Sequence, residues 1–409
     1  MSPATSLRLA ARNVLRNRSR SALTLGALFF GVALTILLAG FGNGLGVLMV
    51  NDIVNAKLGA LVVHARGYAD QRDNQPLKLN LPQGGDFEAR LRAVAGVSAV
   101  APRLSFGGLV SNGSDATMFV GRGVDPAKEY EVLPWARRDV DGQAIRADAP
   151  HTAIVGSELA QALGAKPGST LIVQATTLGG QQNALDLEVG GTLAETSAFE
   201  IKRLVHVPLS FAQQLVKMPG KVTSYVLRIE PGADVDVVAG RVRVALGPDY
   251  EVQTWRELLP NLAAIITFQR VIMGVISTVF LIIVVFGVAN TMVMSVFERT
   301  REIGTMMALG LRRGRIGALF VLEAAFLASA GATAGAAVAR GVVALLARSG
   351  GFAVAAPGST VARYHLVPVV PPTIVGLAML ASITGALLAA AYPAWKATRL
   401  RPVEALRAV

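Results

Sequence analysis

Long apolar runs are the most regular feature of the chain, and four of them reach the roughly 20 residues that a helix needs to cross a bilayer. They fall within residues 22–50, 263–296, 316–347 and 372–393, and we expect Pro393 to close the last one. The first run follows five arginines, as in a signal peptide, but it is too long for one and shows no convincing cleavage site. The pattern therefore predicts four transmembrane helices.

The segment between the first two runs, residues 51–262, alternates short apolar stretches with glycine and proline. Stretches rich in β-branched residues predict strands within 59–67, 116–123, 169–177, 204–210 and 223–229. Helical spacing of apolar residues predicts short helices within 86–94, 156–164, 210–218 and 234–246. The fold class is therefore a membrane protein of four transmembrane helices with a large α+β extracytoplasmic domain between helices 1 and 2. We further expect this domain to form two lobes on a helical stalk.

The stalk follows from the length of the two helices that flank this domain. The first helix meets no proline from Arg20 to about Leu58, and the second can begin directly after Pro260. At 1.5 Å per residue the first would be about 57 Å long, whereas the bilayer core needs only about 30 Å. We therefore expect both helices to project beyond the membrane and to carry the domain as a lever.

Charge places these segments relative to the membrane. The chain has 39 basic and 27 acidic residues, and basic residues are concentrated in three short segments, 1–21, 297–315 and 394–409. Short segments rich in lysine and arginine stay on the cytoplasmic side. Both termini and the 297–315 loop are therefore predicted to be cytoplasmic, and 51–262 and 348–371 extracytoplasmic. The net charge of +12 thus reports membrane topology, not a nucleic-acid partner.

Sequence signatures of enzymatic chemistry are missing. The only Gly-Lys pair, Gly220-Lys221, lacks both the first glycine and the Ser/Thr of a Walker A motif. The chain has no cysteine, and its four histidines are far apart in sequence, which argues against a local zinc site. We therefore predict no catalytic residue, no metal site and no cofactor on this chain.

Residues 297–315 carry the most informative polar pattern. Glu298 lies three and four residues before Arg301 and Glu302, so that all three would share one helix face, and Gly310 can end the helix. An apolar stripe is formed by Ile303, Met306, Met307 and Leu309. One interpretation is a solvated hairpin whose arginines only set topology. The other is an amphipathic helix on the membrane face that docks into a cytoplasmic partner.

The N-terminal segment repeats arginine at every fourth position, Arg8, Arg12 and Arg16. This spacing favours an interfacial helix attracted to anionic lipid. A plain topogenic tail is the alternative.

Small residues recur in the third run, where Gly331 and Gly335 form a small-xxx-small pattern. Such patterns let helices approach closely. The pattern predicts either packing within the chain or a seam between two permease copies.

Glu323 lies inside the third run, eight residues past Arg315. A carboxylate within a membrane helix is a functional candidate because leaving it unpaired is costly. Its alternatives are snorkelling to the cytoplasmic interface and pairing with an interfacial arginine.

Three strings complete the picture: RNVLRNRSRSALT, VANTMVMSVFERTREIGTMMALG and PAWKATRLRPVEALR. They resemble the FtsX-like, MacB-type ABC transporter permeases. The outer segments VAGVSAVAPRL and AIVGSELAQALGAKPGSTLIV look like the outer domain of that family, closest to its lipoprotein-releasing (LolC/LolE-like) branch. The resemblance covers essentially the whole chain.

The resemblance implies a dimeric permease in the bacterial inner membrane, with a second subunit that is an identical copy or a sibling. ATP and Mg would be bound by two copies of a partner ATPase, which is expected to be a separate polypeptide because the chain starts directly at the N-terminal helix. Asn290 and Glu323 match polar positions near the motif. The residues expected to contact the ATPase are Glu298, Arg299, Arg301, Glu302, Gly304, Met307, Ala308, Gly310 and Arg312.

The leading functional hypothesis is transfer of a lipoprotein or other amphiphile from the outer leaflet to a periplasmic carrier or outer-membrane conduit. An alternative within the family is a mechanotransmission permease that activates a periplasmic partner without transporting anything. A rival from another class is a receptor or scaffold anchored by four helices. Recruitment of an ATPase would separate the scaffold from the other two.

Overall fold

A computed structural model of the chain describes residues 18–74, 76–193, 203–355 and 362–399. The interfacial helix predicted over 1–21 lies almost wholly outside these residues, as does the tail from residue 400. The chain forms two compact units. The helical unit comprises the residues up to Val47, Ile265–Phe352 and those from His365, and the outer unit comprises Leu48–Ala264 and Ala353–Tyr364.

Four long helices correspond to the four apolar runs, and each is long and apolar enough to cross a membrane. We call them the first span (Arg18–Asp52), second span (Pro260–Glu298), third span (Arg313–Arg348) and fourth span (Pro372–Thr398). A short helix that we call the linker helix, Thr300–Ala308, joins the second and third spans. The predicted fold class is confirmed.

The fourth span corrects one prediction, because Pro393 does not close it. The helix continues to Thr398, with Pro393 inside and buried. A proline removes one helical hydrogen bond, but neighbouring helices in a bundle can compensate for that loss. Here the alanine-rich face on both sides of the proline is buried in the helical unit, including Ala390 and Ala394, and this packing holds the last turn in place.

The first span runs directly into a π-helical turn, Ile53–Lys57, in which Leu58 N donates to Ile53 O over 2.9 Å. The predicted unbroken helical stretch is therefore confirmed from Arg18 to Lys57. Its 37 residues from Ser21 span about 55 Å. The second span begins at Pro260, as expected, and has 39 residues.

Small residues allow the first and third spans to pack closely within the helical unit. A Cβ atom on Gly331 would lie 2.8 Å from Leu28 Cβ, and one on Gly335 would lie 2.5 Å from Phe29 O. Both glycines are therefore buried against the first span. The sequence left two alternatives for this pattern, packing within the chain and a seam between two permease copies. The structure shows packing within the chain.

The outer unit is built on a ten-stranded mixed sheet in the order β12-β1-β11-β3-β4-β9-β6-β8-β5, in which β7 pairs with β3 and β8. The pairs β4–β9 and β6–β8 are parallel and the others antiparallel. The strands of this sheet are β1 (Leu61–Ala65), β3 (Val97–Ser111), β4 (Ala116–Val124), β5 (Val140–Gly142), β6 (Thr152–Gly156), β7 (Thr170–Thr176), β8 (Gln182–Leu193), β9 (Leu204–Pro208), β11 (Ser224–Ile229) and β12 (Tyr250–Thr254). Two further sheets of two strands each pair β2 (Leu81–Pro82) with β10 (Lys221–Val222), and β13 (Phe352–Ala355) with β14 (Ala362–Leu366).

All five predicted strands are confirmed, as β1, β4, β7, β9 and β11. The four predicted short helices are confirmed as Gly85–Arg92, Ser157–Ala162, Leu209–Leu215 and Val235–Leu246. Among the described residues of the outer unit, the structure adds four short helices: the α-helices Pro126–Val132 and Trp255–Leu258 and the 3-10 helices Ala69–Asn74 and Ala136–Asp139.

The outer unit has one main hydrophobic core, which contains residues from both ends of the sheet, such as Val189 of β8 and Val252 of β12. The long strand β3 makes this possible. Its first half pairs with β11 and its second half with β4 and β7. All five strands that the sequence predicts within 51–262 therefore belong to one sheet.

Candidate functional site at the linker helix

The linker helix is set off from the second span by a bend at Arg299, where φ is −97° and ψ is 12°. At its other end, Gly310 has a φ of +87°, and its N–H donates to Met307 O over 3.0 Å. A glycine in this left-handed conformation ends many helices because it has no Cβ. Gly310 therefore ends the helix, as predicted.

The bend corrects the predicted placement of Glu298. The sequence pattern placed Glu298, Arg301 and Glu302 on one helix, but Glu298 is the last residue of the second span and the linker helix begins only at Thr300. The local cause is visible in Thr300, whose hydroxyl donates to Phe297 O over 2.7 Å and to Val296 O over 3.1 Å. These bonds satisfy carbonyl groups at the end of the span.

The linker helix has one face turned into the helical unit. Ile303 is fully buried and packs with Ile316 and Phe320 of the third span and with Ala394 and Ala397 of the fourth. Met306 and Met307 pack at the edge of the same cluster. Three of the four residues of the predicted apolar stripe therefore face the bundle.

The opposite face of the linker helix is exposed and mixes charge with apolar surface. Leu309, the fourth residue of the stripe, is 83% exposed. The same helix also exposes Arg301, Glu302, Thr305 and Ala308. The residues that the linker helix turns away from the bundle therefore include both apolar and charged side chains.

The structure separates the residues that the sequence assigned to ATPase contact. Exposed residues are Glu298, Arg301, Glu302, Ala308, Gly310 and Arg312, whereas Met307 is half-buried and Arg299 and Gly304 are buried. The two buried residues face the bundle.

Arg299 forms an ion pair with Glu323 of the third span, in which Nη1 lies 3.1 Å from Oε2. Each residue is only 6% exposed. Of the alternatives left open for Glu323, the structure therefore shows pairing with an arginine. Asn290 does not join this group and lies exposed on the second span.

A small cavity adjoins the ion pair. It is lined by polar side chains from the first and second spans together with two apolar ones: Ser21, Thr24, Thr291, Ser295, Met292 and Leu327. Arg299 Nε and Nη2 are buried, and no residue that the structure describes gives them a hydrogen-bond partner. The sequence pattern did not group these hydroxyl residues, because they come from two separate helices.

No group of three His, Asp or Glu side chains suited to a metal ion occurs within 18–74, 76–193, 203–355 and 362–399. The outer unit does hold a perturbed histidine. Burial, and then the charges of Arg122 and Arg103, keep the pKa of His206 well below its usual 6.5.

Two family models match the chain. The MacB-like periplasmic core domain matches residues 21–245, and the FtsX-like permease C-terminal matches residues 274–402. The chain therefore belongs to the family with a MacB-like periplasmic core domain. More particularly, it is an ABC transporter permease of the MacB/LolC type with four candidate membrane spans.

Similar proteins carry different names. The chain is 26% identical to the macrolide export ATP-binding/permease protein MacB of Azoarcus sp., over 98% of this chain and 58% of that protein. It is 27% identical to the lipoprotein-releasing system transmembrane protein LolC of Xylella fastidiosa, over 70% of this chain and 72% of that protein. The chain thus spans little more than half of the MacB relative. The periplasmic region of MacB from Actinobacillus actinomycetemcomitans superposes with a TM-score of 0.36 and 12% identity, over 52% of this chain and 96% of that one.

Proposed function

We propose that this chain is the permease subunit that couples ATP binding and hydrolysis by a separate ATPase to movement of its periplasmic domain. Through that movement it transfers a lipoprotein or other amphiphile from the outer leaflet of the inner membrane to a periplasmic acceptor. The exposed face of the linker helix, with Arg301, Glu302 and Leu309, is the observation that carries this proposal. It offers charge and apolar surface to a partner, while its other face is fixed to the bundle.

Hydrolysis is assigned to a partner because the 409 residues contain no Walker A motif. ATP and Mg would therefore be held by two ATPase copies on the cytoplasmic side, where the positive-inside rule also places both termini. A second permease, identical or sibling, would complete the complex.

The cargo is proposed as an amphiphile because this class includes what the names of both relatives mention, macrolides and lipoproteins. A route along the outer leaflet also agrees with the spans. Glu323, ten residues inside the third span, is already engaged by Arg299, so this carboxylate does not offer a free charge to a hydrophilic pore.

Mechanotransmission without transport is the second candidate, and the unbroken helical stretch of the first span favours it. A helix of 37 residues from Ser21 to Lys57 is longer than a bilayer requires and can pass a displacement along its length. In this version the moving periplasmic domain would act on a carrier or an outer-membrane conduit.

Affinity purification of the tagged chain from native membranes tests the proposal. We expect a polypeptide with a Walker A motif to co-purify, and its mass to differ from that of the permease. Purified complex in proteoliposomes should then release a fluorescent lipopeptide to a soluble acceptor only with ATP. ATP-dependent movement of the periplasmic domain without release would favour mechanotransmission, and absence of any ATPase would favour the scaffold.

A further inference from the structure

Arg299 occupies the point where the second span passes into the linker helix. Its N–H donates to Ser295 O of the span over 3.2 Å, and its carbonyl oxygen accepts from Ile303 N of the linker helix over 2.9 Å. One residue therefore closes the last turn of one helix and the first turn of the next. Any tilt of the linker helix must move the Arg299 backbone.

The side chain of Arg299 extends this link to a third element. Its guanidinium group is paired with Glu323, ten residues inside the third span that begins at Arg313. Both side chains are only 8% exposed. Separating a buried ion pair without replacement partners is strongly unfavourable. When Arg299 moves, one of two things must therefore happen. Either the third span moves with it, or the guanidinium group forms hydrogen bonds to other acceptors.

Other acceptors lie next to it. Arg299 lines a cavity together with hydroxyl side chains of the first span (Ser21, Thr24) and the second span (Thr291, Ser295). Its Nε and Nη2 are buried and have no hydrogen-bond partner among the residues that the structure describes. Hydroxyl oxygens accept hydrogen bonds from a guanidinium group. The residue thus has neighbours on three spans, and these supply one charged acceptor, Glu323, and several neutral ones. Such an arrangement can adopt two discrete hydrogen-bonded states.

We propose that Arg299 and Glu323 form the internal joint through which movement of the linker helix on its ATPase is passed to the membrane spans. Arg299 is then a positioning residue and not an ATPase contact. This inference rests on the proposed function, because it assumes that an ATPase binds the exposed face of the linker helix.

The test uses the full chain with its co-purified ATPase in lipid nanodiscs. Because the natural chain has no cysteine, Val47→Cys and Ser349→Cys can carry spin labels at the ends of the first and third spans far from the linker helix. The distance between the labels is measured with and without ATP in four backgrounds: Arg299→Gln, Glu323→Gln, both together, and the exchange Arg299→Glu with Glu323→Arg.

We expect either single substitution to abolish the ATP-dependent distance change and to lower the stimulated kcat about tenfold, the size of effect typical of coupled contact pairs. The KM for ATP and the amount of ATPase recovered should stay unchanged. The double substitution should be no worse than the single ones, and the exchange should restore part of the distance change. Arg301→Gln, on the exposed face, is the matched control and should reduce ATPase recovery instead.

Two results would contradict the proposal that Arg299 and Glu323 form an internal joint. One is a loss of ATPase recovery in Arg299→Gln equal to that in Arg301→Gln, with no effect of Glu323→Gln. The other is an exchange variant that regains thermal stability but no ATP-dependent distance change, which would make the pair merely structural. A failed proposed function would be recognised earlier, because the unsubstituted chain would then recover no ATPase and both ideas would fall.

Discussion

Arg103 and Glu129 form a bidentate ion pair inside the outer unit, with Nη2 2.6 Å from Oε1, and both side chains are 4% exposed. The same guanidinium group donates to Lys57 O over 3.1 Å. Since Lys57 is the last residue of the π-helical turn that continues the first span, this pair fastens the end of that helical stretch to β3. All three residues belong to the outer unit, so this attachment lies within that unit.

Breaking this pair should destabilise the outer unit. Glu129→Ala leaves the Arg103 guanidinium group buried without its counter-charge, which costs about 3–5 kcal/mol. Chemical unfolding of the full chain in detergent, followed by circular dichroism, would measure the loss. Arg146→Gln is the control, because its pair with Asp148 is exposed and should contribute nothing measurable. Equal stability of Glu129→Ala and the control would contradict the attachment.

Charge reversal on the exposed face of the linker helix should remove the ATPase without unfolding the permease. In Glu302→Lys an exposed carboxylate becomes a cation beside Arg301, so a complementary partner surface would be repelled. We expect the variant to purify in normal amount, but with little ATPase and no ATP-stimulated movement. Glu131→Lys reverses an exposed charge of the outer unit and should behave like the unsubstituted chain. If Glu302→Lys recovers a normal amount of ATPase, the exposed face of the linker helix is not the surface that binds the ATPase.

Two glycines inserted after Ala56 should separate ATP hydrolysis from cargo release. The insertion falls in the π-helical turn Ile53–Lys57 and shifts the register of everything beyond it, and glycine lowers helix stability. ATPase binding should persist, since the linker helix is untouched. The same insertion after Gly232, an exposed turn in the outer unit, is the control and should preserve release. If cargo release stays intact after the Ala56 insertion, the first span does not act as a lever on the outer unit. Transport through the helical bundle would then be the better hypothesis.

Asn290 should lie at the contact with the second permease subunit. It is exposed on the second span among exposed apolar side chains, including Ile283, Phe286 and Met294, and an amide in lipid gains from a partner helix. Replacing Asn290 with the photo-crosslinker benzoylphenylalanine should yield a covalent permease–permease product, which mass spectrometry would identify as an identical copy or a sibling. Leu377 of the fourth span, 66% exposed, is the control position. If position 290 crosslinks only to lipid, Asn290 does not lie at a contact between two permease subunits.

The outer unit should lose stability as the pH falls. His206 lies beside Arg122 in the β4–β9 pair, and burial with the neighbouring arginines lowers its pKa in the folded state from 6.5. The unfolded chain therefore binds the proton first, and stability falls below about pH 6.5 by up to roughly 1.4 kcal/mol per pH unit. Unfolding of the full chain at pH 7.5 and 5.5 should show this loss, and His206→Gln should reduce it. An unchanged slope in the variant would assign the dependence to other groups.

The membrane spans and most of the amphipathic helices and strands could be predicted from the sequence, because each depends on the spacing of apolar residues that are close together in the chain. An apolar run of about 20 residues forms a membrane helix whatever its neighbours are, and the β-branched strands β1, β7 and β11 were predicted from residues that adjoin in sequence. Strand β3 was not among the predicted strands, and it contains Pro102 and Gly107-Gly108, residue types that are unfavourable inside a strand. The sheet resolves both features. Pro102 pairs only with β11, just before β4 pairing begins at Arg103, and a Cβ on Gly108 would lie 2.0 Å from Gln174 O of β7.

The motif at residues 298–310 was likewise evident from the sequence, but not the direction in which its side chains point. A string of charged residues does not distinguish Arg301, which is exposed, from Arg299, which is buried. Only packing of the second and third spans brings Arg299 to Glu323, 24 residues away, because an ion pair of this kind depends on helix rotation and depth. The sequence by itself determined which segments are long and apolar enough to cross a membrane, and it singled out the helix that is our candidate for docking. The tertiary structure decided which charges of that segment are exposed and which are buried in the bundle, because burial depends on how the helices pack.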